Sequence, residues 1–274
     1  MKYFFLFLVS FLFLLPFYLM FITALKTPND IIVNNALSLP KEGWRWYNYV
    51  KAFKDTQFLQ YFWNTFVVTF FSTILGTFFC ILLSFPLSMF NFKFKSAVLF
   101  LLLLSLMTTS EILVIPNYRT VANLGLVNYG RGAEVPFGDY IAMIFPYLIN
   151  VVHVFLLIRT FNNVPKELYY SAKVDGASDW QYLWKILVPV VKSTIIVIMI
   201  FRIVGVWNAY AWPDLVGGKL LTNMSRKSFG PDPDIESLNI QMASAVLINI
   251  PLFLIFIFFN KYIVSGDNQS GIKG

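Results

Sequence analysis

Six stretches of predominantly apolar residues dominate this chain, at roughly 3–25, 62–87, 97–117, 139–158, 190–212 and 241–259. An α-helix rises 1.5 Å per residue, so about 20 apolar residues cross the hydrocarbon of a bilayer. With no water there to satisfy peptide groups, a spanning segment must close its hydrogen bonds within itself. The runs therefore predict an all-α integral membrane protein of six transmembrane helices, one domain over residues 1–274. Composition agrees: 58% of the 274 residues are hydrophobic and only 13% charged, about half the charge of a soluble domain. Pro16, Pro86, Pro146 and Pro251 fall in or near the runs, where neighbouring helices tolerate them. Trp63, Trp207 and Trp212 lie near predicted ends, as interface aromatics do. The first run exceeds the roughly 7–15 residues of a signal-peptide core, so it reads as a retained helix. The single cysteine, Cys80, forms no internal disulfide and reads as a small buried apolar residue.

Orientation follows from the basic residues. With the N-terminus inside, Lys and Arg number ten on each side. The inner segments are shorter, and the tight loop NFKFKS at 91–96 carries two lysines. Density therefore favours both termini in the cytoplasm. The net charge of +7 is scattered, with no basic run of the kind that binds nucleic acid.

Between the fourth and fifth runs lies the largest inner loop, 159–189, holding KELYYSAKVDGASDWQYLWKILVP from Lys166 to Pro189. Leu168, Ala172 and Val174, then Ala177, Trp180, Leu183, Trp184 and Leu187, recur at helical spacing. Gly176 interrupts the pattern, and Ser178 with Gln181 has the form of a capping box. Two short amphipathic helices meeting at a turn are predicted, with an apolar side for the membrane domain and a charged side for something soluble.

This stretch resembles the EAA loop of ABC importer permeases: E-A-A, three residues, G, nine residues, I-x-L-P. Gly176, Ile186 and Pro189 stand at those spacings and Ala172 takes the second Ala. Asp175 and Ala177 complete the DGAS form seen in carbohydrate permeases. ALKTPNDI at 24–31, NYVKAF and FLQYFWNT at 48–65, VIPNYRTVANLGLVN at 114–128, WNAYAWP at 207–213 and the tail YIVSGDNQSGIKG are similar to the maltose-type, smaller-permease subfamily. The chain departs from the pattern at Tyr170 and Ser171, where the family has Glu and Ala, and at Val188 before Pro189. Glu167 lies one helical turn before Tyr170 and is the candidate to replace that Glu. YGRGAEVPFGD at 129–139 looks longer than the family's outer loop.

The resemblance implies a type I importer (MetI-like) permease in a bacterial cell membrane. Its implied partners are a second homologous permease, an ATPase dimer and an extracytoplasmic solute-binding protein, with a sugar or oligosaccharide as cargo. This chain holds no G-x-x-x-x-G-K-[ST] loop, so ATP and Mg would be bound by the ATPase. The implied coupling residues are Glu167, Tyr170, Ser171, Ala172, Asp175, Gly176, Ala177, Ile186 and Pro189. An outer loop at 213–240, with Gly217 and Gly218 as flexible glycines beside Lys219, would meet the binding protein. The polar tail SGDNQSGIKG would lie between the ATPase subunits.

Glu111, His153 and Arg202 fall within the apolar runs. Intramembrane ionisable groups are costly and mark function or pairing. Glu111 and Arg202 read either as a helix-holding pair or as part of a translocation path with Trp207, Asn208 and Tyr210. His153 reads as an interhelical hydrogen bonder. Trp207, Asn208, Tyr210 and Trp212 equally suit a sugar's faces and hydroxyls or an interface belt. A glycerol-phosphate importer, with Arg202 facing the phosphate, is the alternative of the same class. An intramembrane enzyme using Glu111 and His153 has no supporting nucleophile–base set or metal-ligand motif, and a plain membrane anchor is the third reading.

Overall fold

The computed structural model describes residues 2–55, 57–108, 110–127, 137–227 and 235–268, of which 2, 55, 110–111, 226–227, 235–236 and 260–268 are described by backbone alone. The described residues form helices α1 (Lys2–Ala24), α2 (Pro28–Val33), α3 (Tyr47–Asp55), α4 (Phe58–Met89), α5 (Lys95–Met107), α6 (Ser110–Asn123), α7 (Gly138–Ile144), α8 (Val151–Asn162), α9 (Lys166–Val174), α10 (Asp179–Tyr182), α11 (Val188–Val190), α12 (Lys192–Trp207), α13 (Ala211–Leu215), α14 (Leu221–Lys227) and α15 (Ile235–Asn268). A 3-10 turn, Phe145–Tyr147, follows α7, and a π turn, Leu183–Leu187, joins α10 to α11.

Three of the expected spans are single helices: Tyr3–Ala24, Phe58–Met89 and Ser237–Phe259. The other three are broken. Lys95–Met107 and Ile112–Asn123 meet at 109°, Gly138–Tyr147 and Val151–Asn162 at 50°, and Asp179–Val190 and Lys192–Trp207 at 80°. The described residues thus hold up to six spans, and hydropathy alone did not reveal the breaks. The fifth run, expected over 190–212, is continuous helix only over Lys192–Trp207, with ends that fall in α11 and α13. Asn208 ends it by donating both its backbone N–H and its side-chain amide to the Val204 carbonyl.

Packing divides the chain into two compact units, residues 1–65 with 219–257, and 66–218 with 258–274. The boundaries fall inside α4 and α15, so no change of composition marks them in the sequence.

In the first unit, Ala24, Ala52 and Ala243 let helices approach closely. The motif LKTPND builds a buried polar knot there. Lys26, 1% exposed, donates to the carbonyls of Asn35 (3.0 Å) and Ala36 (3.1 Å) and to Ser38 Oγ (3.3 Å). Thr27 caps α2, its Oγ1 accepting from Asp30 N at 2.9 Å, with Pro28 preset for the first turn. Asp30 accepts from Asn34 and from the Glu42 N–H. Asn48 and Asn239 both donate to the Lys26 carbonyl. Burial holds the Lys26 ammonium below the ordinary lysine range, against the raising pull of Asp30.

In the second unit the core gathers residues of α4, α8, α9 and α12 around Cys80, Phe85, Leu157, Phe161, Tyr182, Leu187 and Ile198.

Candidate functional site

The inner loop folds as a helix–turn–helix with both ends of the turn closed. Helix α9 stops at Asp175, and Gly176 follows at φ +80°. The Gly176 N–H bonds to Lys173 O (3.1 Å) and the Ala177 N–H to Ala172 O (2.9 Å). These two bonds form a Schellman closure, which favours glycine at the left-handed position. Ser178 then starts α10 with the expected capping box: Ser178 Oγ accepts from Gln181 N, and Gln181 Oε1 accepts from Ser178 N. Asp179 ties the helices together. Its Oδ1 accepts from Tyr169 Oη (2.9 Å) and pairs with Lys173 Nζ (2.8 Å). Hydrogen bonds from Lys173 and then Tyr169 hold its carboxyl below the ordinary aspartate value.

The motif residues divide by exposure. Ala172, Tyr182, Leu183 and Leu187 are buried in the core. Ala177 and Ile186 are half-buried and packed against it. Glu167, Tyr170, Ser171, Asp175, Gly176 and Pro189 are exposed. So are Leu168, Val174 and Trp180, giving the outer side uncovered apolar side chains. Trp184 stacks on Phe78 of α4 (5.8 Å, 13°), and Tyr182 packs edge-on against Tyr169. After the π turn, in which Val188 N reaches Leu183 O, Pro189 leads into the 80° bend to α12. In a regular helix the Pro189 ring would press on the Lys185 carbonyl, and the wider turn separates them.

Arg202 is buried at membrane depth, 4% exposed, beside the break between α7 and α8. Its Nη1 donates to Tyr147 O (2.7 Å) and its Nη2 to Leu148 O (3.2 Å). These carbonyls end the first half of the broken span, where a helix leaves acceptors unpaired and presents its negative end. Gly76 of α4 makes the room: a methyl there would collide with the guanidinium and lie 3.0 Å from Leu148 O. Cys80 also lies within hydrogen-bond reach of Arg202. Glu111, expected as the partner or path residue, has its side chain outside the described residues. The buried Nδ1 of His153, expected as an interhelical hydrogen bonder, has no protein partner among the described residues.

At the other end of α12, the aromatic cluster departs from the expected pattern. Trp207 is buried (3% exposed), whereas Asn208 is exposed and Tyr210 half-buried. Trp212 is not an interface anchor. It is buried, and its indole donates to Ala142 O (2.9 Å). Residue 146, four on from Ala142, would supply that carbonyl's helical donor, but it is Pro146 and has no N–H. Gly217 and Gly218 are not the expected flexible joint either. Gly217, at φ +77°, donates to Asp214 O and Gly218 to Pro213 O, a second Schellman closure. Gly218 is buried against Met143 and Pro213. Lys219 is exposed, and its carbonyl accepts from Asn64. Residues 128–136 of the long loop, 228–234 of the outer segment and 269–274 of the tail lie outside the described residues.

Residues 2–266 match the family described as binding-protein-dependent transport system inner membrane component. The arabinooligosaccharides transport system permease protein AraQ of Bacillus subtilis is 24% identical over 97% of this chain and 93% of its own length. A probable ABC transporter permease protein of Mycoplasma pneumoniae, the MG189 homolog, is 30% identical over 94% and 84%. A chain from the crystal structure of a bacterial ABC transporter involved in alginate import superposes with a TM-score of 0.78 at 17% identity, covering 95% of this chain and 94% of that one.

Proposed function

This chain belongs to the family of binding-protein-dependent transport system inner membrane components, a multi-pass permease of the bacterial membrane rather than an enzyme, and from that premise we propose that it carries a carbohydrate through an ATP-driven importer. A solute-binding protein delivers the sugar or oligosaccharide to the outer face, a second permease completes the path, and two ATPase subunits drive it from the cytoplasm. Both termini lie inside, which puts the loop at 166–190 against the ATPase. The relatives named for arabinooligosaccharides and for alginate support a carbohydrate cargo. For the glycerol-phosphate alternative Arg202 is poorly placed, because it is buried and its guanidinium is held on the Tyr147 and Leu148 carbonyls.

The observation that carries the mechanism is the coupling element. It is a closed, rigid helix–turn–helix with exposed Leu168, Val174 and Trp180 on its outer side and core contacts on its inner side. An ATPase cleft that grips the outer side moves α9 and α10 as one body, because Asp179 fastens them. The bend at Val191 passes that motion to α12 and so to the membrane. Glu167, exposed one turn before Tyr170, supplies the acidic contact on the ATPase side.

Gly176→Pro tests this. Proline cannot reach φ +80° and lacks the N–H that bonds Lys173 O. The variant should insert and assemble, yet lose stimulation of ATP hydrolysis by loaded binding protein. Full stimulation would remove this loop from the coupling mechanism.

A further inference from the structure

We propose that a cavity behind the coupling element binds a phosphate group, as carried by an anionic phospholipid. The cavity, about 260 Å³, lies where the end of α4 and the NFKFKS turn meet α8 and α9. Its wall includes Lys95, Lys166, Asn91, Asn162, Tyr169 and Tyr170. Two lysines, two asparagines and two tyrosines thus line it together, and no Asp or Glu is among its lining residues.

The donors are partly organised. Lys95 is half-buried and gives one of its three N–H groups to Phe90 O (3.0 Å), which fixes the ammonium while leaving two donors. Tyr169 Oη is spent on Asp179, so it contributes a wall rather than a donor. Tyr170 matters most for the charge. The EAA pattern places a glutamate at this position, and its carboxylate would stand in the wall beside Lys95 and Lys166. Tyrosine removes that negative charge and offers a neutral hydroxyl. The nearest acidic neighbour in sequence, Glu167, is exposed and does not line the cavity.

The site sits at the end of a spanning helix, beside exposed Phe92 and Phe94 on the NFKFKS turn. Lysines at the end of a spanning helix attract anionic headgroups. A headgroup phosphate held between Lys95 and Lys166 links this turn to the coupling helix α9, so membrane composition bears on the coupling element directly. The site itself does not depend on which solute is carried.

The full chain in nanodiscs tests the proposal by native mass spectrometry. In mixed phosphatidylglycerol and phosphatidylcholine, one phosphatidylglycerol should stay bound through delipidation. Lys95→Gln with Lys166→Gln should weaken retention about tenfold or more, since charge-assisted bonds to phosphate are the strong ones. Lys95→Arg with Lys166→Arg should restore it, and Tyr170→Glu should abolish it. Lys93→Gln, outside the cavity wall, controls for general loss of charge and for folding. Inorganic phosphate in pure phosphatidylcholine discs separates the sources. A rise in thermal stability that the Gln pair abolishes assigns the site to free phosphate as well, whereas retention of phosphatidylglycerol without that rise assigns it to lipid alone. Equal phosphatidylglycerol retention in the chain and in the Gln pair overturns the proposal. So does a Gln pair that loses only ATPase copurification, which would make the cavity a socket for an acidic partner side chain.

Discussion

Replacing Gly76 by alanine adds one methyl group to the chain, and it should be among the most damaging single changes in the membrane region. The methyl would lie on top of the Arg202 guanidinium and close to Leu148 O. The planar guanidinium cannot slip aside, because its two terminal nitrogens are fixed on Tyr147 O and Leu148 O. Either the helices separate or the charge loses its partners, and a buried charge so stranded costs about 3–5 kcal/mol. Arg202→Met should cost less, because the charge leaves with the donors. Two carbonyls then go unpaired at about 1–3 kcal/mol each, and release of the desolvated guanidinium offsets part of that. The double variant should be no worse than Arg202→Met alone, since the alanine methyl enters space the guanidinium has vacated. The cycle therefore predicts a coupling energy between Gly76 and Arg202 as large as the Gly76→Ala cost itself, about 3–5 kcal/mol, at or above the top of the range seen for residues in direct contact. Tryptophan fluorescence during unfolding of the purified chain in detergent gives the four stabilities. If the two single changes add in the double variant, the clamp on the broken span is wrong.

Three other outcomes are expected. Lys26→Met should lower stability by about 2–4 kcal/mol, because the Asn35 and Ala36 carbonyls lose a buried donor; protease access to residues 35–42 measures it, and unchanged protection would refute it. Trp212→Phe should cost about 1–2 kcal/mol by leaving Ala142 O without a partner, read as a lower unfolding midpoint with normal insertion. Asp179→Asn should change stability by under about 1 kcal/mol, since Lys173 and Asp179 are both partly exposed, yet loosen α9 from α10 and lower stimulated ATP hydrolysis. The Asp179 carboxyl is depressed below 3.8, so its contribution is complete above that pH and is lost as pH falls through the lower folded value. Stimulation should therefore show no Asp179-dependent change between pH 5 and 8, and a difference between wild type and Asp179→Asn that varies across that range would contradict the assignment.

What the sequence made legible was local. Six apolar runs announced helices, and Ser178 with Gln181 announced a cap, because each signal is complete within a few residues. The breaks were not legible, since their causes lie far apart in the chain. The Leu148 carbonyl is satisfied by a residue 54 positions away, and the carbonyl that Pro146 orphans is satisfied from 70 positions away. Hydropathy registers neither. The two glycines at 217–218 were misread because a pair of glycines suggests a loose joint, although a glycine following Ala-Trp-Pro-Asp-Leu-Val is equally a helix stop. The Lys26 knot was missed as a device, although Thr27-Pro28 followed by Asp30 carries the form of a helix start.

The π turn at Leu183–Leu187 is a store of slack. It closes one turn with a residue more than a regular helix uses, so the extra residue is absorbed locally and the helix on either side keeps its heading. Removing one residue between Leu183 and Leu187 would let α10 run into α11 as ordinary helix, with Trp180 and the capped turn at Gly176 still facing nearly the same way. The Pro189 ring would then press on the carbonyl four residues before it. The deletion would thus leave the docking face in place and spoil the joint through which that face is connected to α12.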